Sequence, residues 1–396
     1  MVYMDNAATT QVDKKAAEAM LPYLTEAYGN PSSMHSAGEK ARIAVNAARK
    51  IIAERINAFP DEIIFTSGGT ESDNIAILGT AYASTENRQE KSQEGAKERK
   101  NHIITTKIEH PAVRETCRYL SRRGFKITYL DVDAHGFIDI EQLKRSITEE
   151  TILVSIIHGN NEIGTVQDIE KIGKICRDRK VRFHTDAVQS FCKVPIDVKE
   201  MNISLMSICA HKIHGPKGIG ALYIKKGTPL ERINFGGHQE RNIRAGTHNV
   251  PAAVGFGKAV ELFTDADLEM MAQYRDMLIE ELAKIPNTRL NGFWQKGDYE
   301  KRLCNNVNIS FELIEGESML MQLDNEGIEV STGSACSSAS LEPSHVLLAI
   351  GLAHEIAHGS IRFTLGRFTT KEDIKKTVEK VNIVVDKLRK ISALSK

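Results

Sequence analysis

Two patterns of hydrophobic and polar residues alternate along most of the chain. Short runs of apolar and β-branched residues predict buried strands at residues 62–66, 102–106, 126–130, 152–157, 181–184, 203–207 and 221–224. Longer stretches with apolar residues at helical spacing, such as residues 34–57, separate many of these runs. Strands that alternate with helices indicate an α/β fold with a mostly parallel, doubly wound sheet.

The pattern changes after about residue 262. It predicts a long amphipathic helix up to about Lys284, strands near residues 306–311, 328–331 and 361–364, and a terminal helix over residues 371–390. This order is typical of a smaller α+β domain. We therefore predict a large domain over residues 14–262 and a small domain made of residues 1–13 and 263–396. Residues 84–100 are polar, which predicts an exposed excursion.

Composition limits the classes of function. The chain has 396 residues, and its 52 basic side chains balance 52 acidic ones, so no overall charge favours nucleic acid or an anionic membrane. It has no apolar stretch of about 20 residues and no secretory pattern at its start, so we expect a cytoplasmic protein. The six cysteines lack metal-ligand spacing, and we predict reduced thiols near the core and no metal site.

A lysine and an aspartate follow two of the predicted strands. Lys212 comes after residues 203–207, and Asp186 comes after residues 181–184. A lysine amine bonds the aldehyde of pyridoxal 5′-phosphate (PLP), and an aspartate at the pyridine nitrogen makes the cofactor ring an electron sink. Ligands of doubly wound sheets lie beyond the carboxyl ends of the strands. These two residues therefore indicate a PLP site.

Further polar groups follow other predicted strands. The turn at residues 67–74 offers backbone N–H groups and the Thr70 hydroxyl to a phosphate; alternatively, Thr70 caps the next helix and Asp73 completes a capping box. His110 is suited to stacking on a cofactor ring or to a local hydrogen bond at a helix start. Asn160 is suited to binding a ring oxygen or a substrate carboxylate, or to forming a turn.

Two residues of the predicted small domain carry further chemistry. Cys336 lies among glycine, serine and alanine residues, so we expect an accessible loop thiol that acts as a nucleophile. Arg362 lies in the strand predicted at residues 361–364, where its guanidinium group binds either a substrate carboxylate or an internal acid. In the large domain, Gln189 follows Asp186 closely enough to reach the same cofactor ring.

Together these segments resemble the NifS/IscS cysteine desulfurases, which are PLP-dependent enzymes of the class-V aminotransferase kind. The resemblance runs nearly from end to end and rests on residues 3–10, 28–33, 67–72, 109–110, 184–189, 211–218, 244–248, 334–338 and 362–368. It implies the PLP-dependent transferase fold type I, as in aspartate aminotransferase, with a seven-stranded sheet in the large domain. It also implies a homodimer with active sites at the subunit interface.

The resemblance implies roles for individual residues. Lys212 bonds the cofactor, His110 stacks on it and Cys336 accepts sulfur, so these three are the implied catalytic residues. Asn160 and Arg362 bind the substrate. The implied cofactor contacts are Gly69, Thr70, His110, Asn160, Asp186, Gln189, Cys209, His211, Lys212 and Thr247, the last from the other subunit.

The implied reaction converts L-cysteine to L-alanine and leaves the sulfur as a persulfide on Cys336. The acceptor is an iron–sulfur scaffold protein of the IscU/NifU kind or a thiolation enzyme, and Cys336 is also a candidate transient iron–sulfur ligand. One departure is Cys209, where relatives commonly have serine, because a thiol donates a weaker hydrogen bond to phosphate. The alternatives are a selenocysteine lyase, another fold-type I PLP enzyme, or a non-catalytic subunit that docks a scaffold protein.

Overall fold

The computed structural model describes residues 1–86, 100–298, 300–332 and 343–391. Cys336 and residues 87–99 of the predicted polar excursion lie outside these ranges. The strands of the described part are β1 (Val2–Tyr3), β2 (Ile63–Thr66), β3 (His102–Thr106), β4 (Lys126–Leu130), β5 (Thr151–Ser155), β6 (Arg182–Asp186), β7 (Leu205–Cys209), β8 (Gly220–Ile224), β9 (Thr288–Leu290), β10 (Asn306–Phe311), β11 (Ile328–Glu329), β12 (Ser331–Thr332) and β13 (Ser360–Thr364).

The helices of the described part connect these strands. They are α1 (Lys14–Met20), α2 (Pro22–Thr25), α3 (Ser36–Arg55), α4 (Gly69–Glu86), α5 (Pro111–Ser121), α6 (Ile140–Ser146), α7 (Ile169–Asp178), α8 (Val250–Leu262), α9 (Asp265–Leu282), α10 (Gly316–Asn325), α11 (His345–Ala349), α12 (His354–His358) and α13 (Lys371–Ile391). None of the helices in the described ranges is long and apolar enough to cross a membrane.

The central sheet has seven strands in the order β2-β8-β7-β6-β5-β3-β4. The five strands from β7 to β4 run parallel to one another, whereas β8 is antiparallel to both β2 and β7. This topology confirms the predicted mostly parallel sheet.

Both faces of the sheet are buried, because successive residues of a strand point to opposite sides. In β3, Ile103 packs with α4 and α5, while Ile104 packs with α3, α7 and α8. In β7, Leu205 belongs to the same cluster as Ile103, and Met206 belongs to the same cluster as Ile104. The sheet is therefore doubly wound, as predicted.

A second hydrophobic core lies in the C-terminal part of the chain. The four-stranded sheet β12-β13-β10-β9 is antiparallel, and β1 pairs with β11 in a separate two-stranded sheet. Val2 and Met4 belong to this core together with residues from α9, β10, β13 and α13. The N-terminal segment thus packs against the C-terminal strands. The boundaries at residues 13 and 262 stay a prediction.

Candidate active site

The carboxyl ends of adjacent parallel strands bring the predicted residues together. Asp186 is the last residue of β6, Lys212 lies just beyond β7, and His110 follows β3 and immediately precedes α5. A carboxylate oxygen of Asp186 and a ring nitrogen of His110 lie within 4.8 Å of one another. The Lys212 ammonium group influences the pKa of both side chains. The structure therefore brings these three predicted residues together at one edge of the sheet.

The Lys212 amine is held by the N-terminal segment. Its Nζ donates hydrogen bonds to the backbone carbonyls of Ala7 and, at 2.6 Å, of Ala8. The Gln189 amide donates to the same Ala7 carbonyl at 2.9 Å. These carbonyl groups were not predicted, because backbone acceptors leave no side-chain signal in a sequence. The N-terminal segment is therefore part of the site as well as of the second core.

Asp186 carries the buried carboxylate of the site. The residue is 4% exposed, and its Oδ1 accepts a hydrogen bond from the Val188 backbone N–H at 2.9 Å. Burial raises the pKa of Asp186 to about 6, although the Val188 N–H and the Lys212 charge both favour the ionised form. A protonated pyridine nitrogen is a cation that such a buried carboxylate stabilises.

His110 caps helix α5 and also faces Asp186. Its Nδ1 accepts a hydrogen bond from the Ala112 backbone N–H at 3.2 Å. Burial and the nearby Lys212 charge lower the pKa of His110 to about 4, so the imidazole is neutral near pH 7. Together with Thr70, His110 lines an open groove between α4 and α5. The local hydrogen bond is present, and stacking on a cofactor ring stays a prediction.

The start of α4 offers a place for a phosphate group. The helix begins at Gly69, and the N–H groups of a first helical turn have no partner within the helix. A Cβ atom on Gly69 would lie 2.6 Å from Cγ2 of Val188, so a larger residue would disturb the turn. His211 lies beside Lys212, and its Nδ1 is 3.2 Å from the Thr9 hydroxyl.

Asp73 does not complete the capping box that the sequence allowed. The Ser67 backbone N–H donates to Glu71 instead, and Glu71 also accepts a hydrogen bond from Arg244 at 3.0 Å. The Asp73 carboxyl group is buried, with Oδ1 3.6 Å from Nε2 of His184. The capping interpretation of Asp73 was therefore wrong, because the carboxyl group points into the protein beside Asp186.

Arg362 lies in the middle of β13, as predicted, and is 2% exposed. Its Nη2 donates to Asp5 Oδ1 at 3.0 Å, and its Nη1 donates to the Asn161 carbonyl at 3.0 Å. Its Nε has no hydrogen-bond partner among the described residues. An internal acid is thus present, while binding of a substrate carboxylate stays a prediction.

Asn160 follows β5 in a buried turn. Its Oδ1 accepts hydrogen bonds from the backbone N–H groups of Glu162 and Ile163 at 2.9 and 3.0 Å, and its Nδ2 donates to the Ile108 carbonyl at 2.9 Å. These bonds fulfil the turn-forming role that the sequence allowed. A cofactor or substrate contact of Asn160 stays a prediction.

Cys209 and Thr247 are the further predicted residues that the structure describes. Cys209 ends β7 and is fully buried, and burial raises the pKa of its thiol to about 11. Thr247 lies in an exposed loop. Cys336 lies outside the described residues, but both flanks of its segment approach the site. Ser331 pairs with Arg362 on the adjacent strand, and the Ser344 hydroxyl donates to Glu162.

Comparison with known proteins agrees with this geometry. The model of the aminotransferase class-V family matches residues 2–377. A cysteine desulfurase IscS from Dictyoglomus turgidum is 51% identical over 99% of this chain and 96% of its own length. The chain therefore belongs to the aminotransferase class-V family. A second IscS, from Methanosarcina thermophila, is 52% identical over 100% of this chain and 94% of its own length.

Solved structures extend the comparison to three dimensions. A NifS-like protein superposes with a TM-score of 0.87 at 36% identity, covering 97% of this chain and 99% of the other. A structure of SspA in complex with cysteine gives a TM-score of 0.80 at 39% identity, covering 93% and 100%. Family and structure together confirm the PLP-dependent fold type I.

The described residues fit a PLP molecule. The site combines a lysine amine, a buried carboxylate and the N–H groups of a helix start, which match the aldehyde, the pyridine nitrogen and the phosphate. The five cysteines in the described ranges are all buried, which confirms the predicted core thiols.

Proposed function

We propose that the chain is a cysteine desulfurase that converts L-cysteine to L-alanine and transfers the sulfur atom to Cys336. The observation that carries this proposal is the convergence of Lys212, Asp186 and His110 at one edge of the sheet. The relatives named cysteine desulfurase match this chain over nearly its whole length, which supports the same activity here.

Each side chain has a proposed task toward the cofactor and the α-proton. Bound PLP supplies an electron sink for negative charge at the substrate Cα. Lys212 would hold the cofactor through Nζ, and its free amine would move the substrate α-proton. Asp186 would stabilise the protonated pyridine nitrogen, Gln189 would bind the ring hydroxyl and His110 would pack against the ring. Gly69, Thr70, Cys209 and His211 hold the phosphate, with Thr247 from a second copy of the chain.

Substrate binding is proposed for Arg362 and Asn160. A guanidinium group binds a carboxylate through two parallel hydrogen bonds. Because Nη2 of Arg362 already contacts Asp5, and its Nε lacks a partner among the described residues, a substrate carboxylate would use Nε and compete with Asp5 for Nη2. Asn160 precedes Asn161, whose backbone carbonyl contacts Arg362, and the Asn160 side chain is proposed to orient the substrate.

Cys336 is the proposed sulfur acceptor. Its thiolate attacks the sulfur of the bound substrate, the carbon–sulfur bond breaks, and a proton completes L-alanine, so that the enzyme keeps a persulfide. We propose an iron–sulfur scaffold protein as the next acceptor and a homodimer as the working form. A cytoplasmic location stays a prediction from the sequence.

The test is product analysis with purified, PLP-loaded protein. We expect L-alanine and sulfide from L-cysteine in the presence of a thiol reductant, and no product from Lys212→Ala. Turnover of a 2-oxo acid instead would indicate an aminotransferase, and turnover restricted to selenocysteine would indicate a selenocysteine lyase. A chain that acquires no PLP absorbance would contradict the enzyme assignment and support a docking subunit.

A further inference from the structure

A second buried carboxyl group faces Asp186. Asp73 lies in the second turn of α4 and is 1% exposed. Ligand atoms of Asp73, Asp186 and His110 lie within 4.8 Å of one another. Oδ1 of Asp73 has no hydrogen-bond partner among the described residues. An unpaired, buried carboxylate oxygen is costly, so its presence at the cofactor site requires an explanation.

The groups around Asp73 supply little positive charge. From β6, the imidazole of His184 lies 3.6 Å away, but burial lowers the pKa of His184 to about 3 and leaves it neutral. From β7, Ser207 hydrogen-bonds His184 at 3.0 Å and also favours the ionised form of Asp73. Glu109, beyond β3, acts in the opposite direction. Among the described residues no lysine or arginine forms an ion pair with Asp73.

Two carboxyl groups this close and this buried cannot both be ionised at low cost. One of them must hold a proton, and their surroundings differ. Asp186 receives the Val188 N–H and the Lys212 charge, which both favour its anion. Burial and the negative charge of Asp186 raise the pKa of Asp73 well above its ordinary value, and Glu109 adds to the same effect.

We propose that Asp73 is a positioning residue that holds the shared proton of this carboxyl pair and so keeps the negative charge on Asp186. The charge then lies beside the pyridine nitrogen, where the cofactor chemistry needs it. This inference rests on the proposed function only in placing PLP next to Asp186. The carboxyl pair itself is a property of this chain, independent of the substrate.

Infrared spectroscopy of the PLP-loaded protein locates the proton directly. Labelling aspartate with ¹³C at the side-chain carboxyl shifts only aspartate bands, so Glu109 and Glu162 do not contribute. We expect an undissociated aspartate band at pH 8 in wild type and in Asp186→Asn, but not in Asp73→Asn. A band that persists in Asp73→Asn and disappears in Asp186→Asn would place the proton on Asp186 and overturn the proposal. So would the absence of any such band in wild type.

Cofactor binding gives a second readout. Asp73→Leu keeps the branching of the side chain at Cγ but puts apolar atoms in place of the carboxyl group beside Asp186, which disfavours the Asp186 anion, so we expect about tenfold weaker PLP binding by the PLP-free protein. Asp73→Asn restores a polar group and should recover most of that loss. Equal affinity of Asp73→Leu and wild type would show that Asp73 only fills space. An infrared band on Asp73 in protein that forms no alanine would leave this inference standing and refute the proposed function alone.

Discussion

Glu109, next to His110 in sequence, is a residue whose ionisation the fold shifts strongly. It is fully buried, and its Oε1 accepts hydrogen bonds from the Thr106 hydroxyl at 2.7 Å and the Ile157 N–H at 2.9 Å. Burial raises the pKa of Glu109 to about 8, although these hydrogen bonds favour the anion. The native protein therefore holds a proton here that the unfolded chain releases near pH 4.5.

Glu109→Gln tests this ionisation. Because the pKa is raised in the folded state, the stabilisation from Glu109 is complete below the unfolded pKa and is lost as the pH rises toward 8. The slope contributed by one such group is at most about 1.4 kcal/mol per pH unit. We expect Glu109→Gln to flatten the decline in unfolding free energy between about pH 5 and 8. Urea unfolding at several pH values measures this pH dependence. As a control, Glu115→Gln, whose side chain is exposed on α5, should keep the wild-type slope.

At the residue scale, the sequence predicted three polar residues that the structure brings together, but not the groups around them. Lys212, Asp186 and His110 follow apolar strands, and the position of a polar group at a strand end can be read from sequence alone. The capping box was an alternative for Asp73 because local spacing is the only information in a turn. Its contact with His184 depends on how α4 packs across the sheet, which no local pattern encodes.

At the scale of elements, the loop that carries Thr247 is held by Glu240. Three successive residues, Glu240, Arg241 and Asn242, have φ values of 40°, 55° and 65°, which L-residues rarely adopt. The Glu240 carboxylate accepts two hydrogen bonds from Arg49 at 2.7 Å and one from the Phe65 N–H at 2.8 Å. Burial opposes ionisation, but these bonds outweigh it and lower the pKa of Glu240 to about 2.

Glu240→Gln should release this loop. Removing one charge from a buried ion pair leaves Arg49 uncompensated, so we expect a loss of about 3 kcal/mol of unfolding free energy. Urea unfolding at neutral pH measures the loss. The matched control is Glu54→Gln, which breaks the exposed Lys50–Glu54 pair and should cost less than about 0.5 kcal/mol. Equal effects of the two substitutions would contradict the anchoring role of Glu240.

The regular elements were largely predictable from the sequence, and their pairing was less so. β3, β4 and β10 occupy the predicted residues, because short runs rich in β-branched and aromatic residues favour strands. β8 was predicted as a strand, but its antiparallel direction depends on the glycine-rich turn that returns the chain after Lys212. The two-residue β1 was not predicted, since a run that short carries no period.

At the scale of the whole molecule, the N-terminal segment joins the two cores. β1 pairs with β11 and Asp5 bridges to Thr364, whereas Ala7 and Ala8 contact Lys212. Arg362 and Asp5 form an ion pair across the same junction. The junction therefore couples the proposed substrate-binding arginine to the proposed catalytic lysine.

The proposed homodimer predicts complementation between two damaged chains. If Thr247 serves the site of the other copy, a dimer of Thr247→Ala with Lys212→Ala has one site with both residues intact. We expect random mixing to restore about one quarter of the wild-type rate at limiting PLP, because half of the dimers are mixed and each has one complete site. The rate of L-alanine formation by the co-refolded mixture measures this restoration. A rate equal to the mean of the two unmixed variants would show that Thr247 acts within its own subunit.

The most direct test of the central claim is the fate of the substrate sulfur in wild type and in Cys336→Ala. A single turnover of ³⁵S-labelled L-cysteine by PLP-loaded protein, without reductant, should leave one labelled sulfur on the peptide that contains Cys336 and release one L-alanine per site. Cys336→Ala should retain PLP but release almost no alanine. Equal alanine release by both proteins, or label on a different cysteine, would contradict sulfur transfer through Cys336.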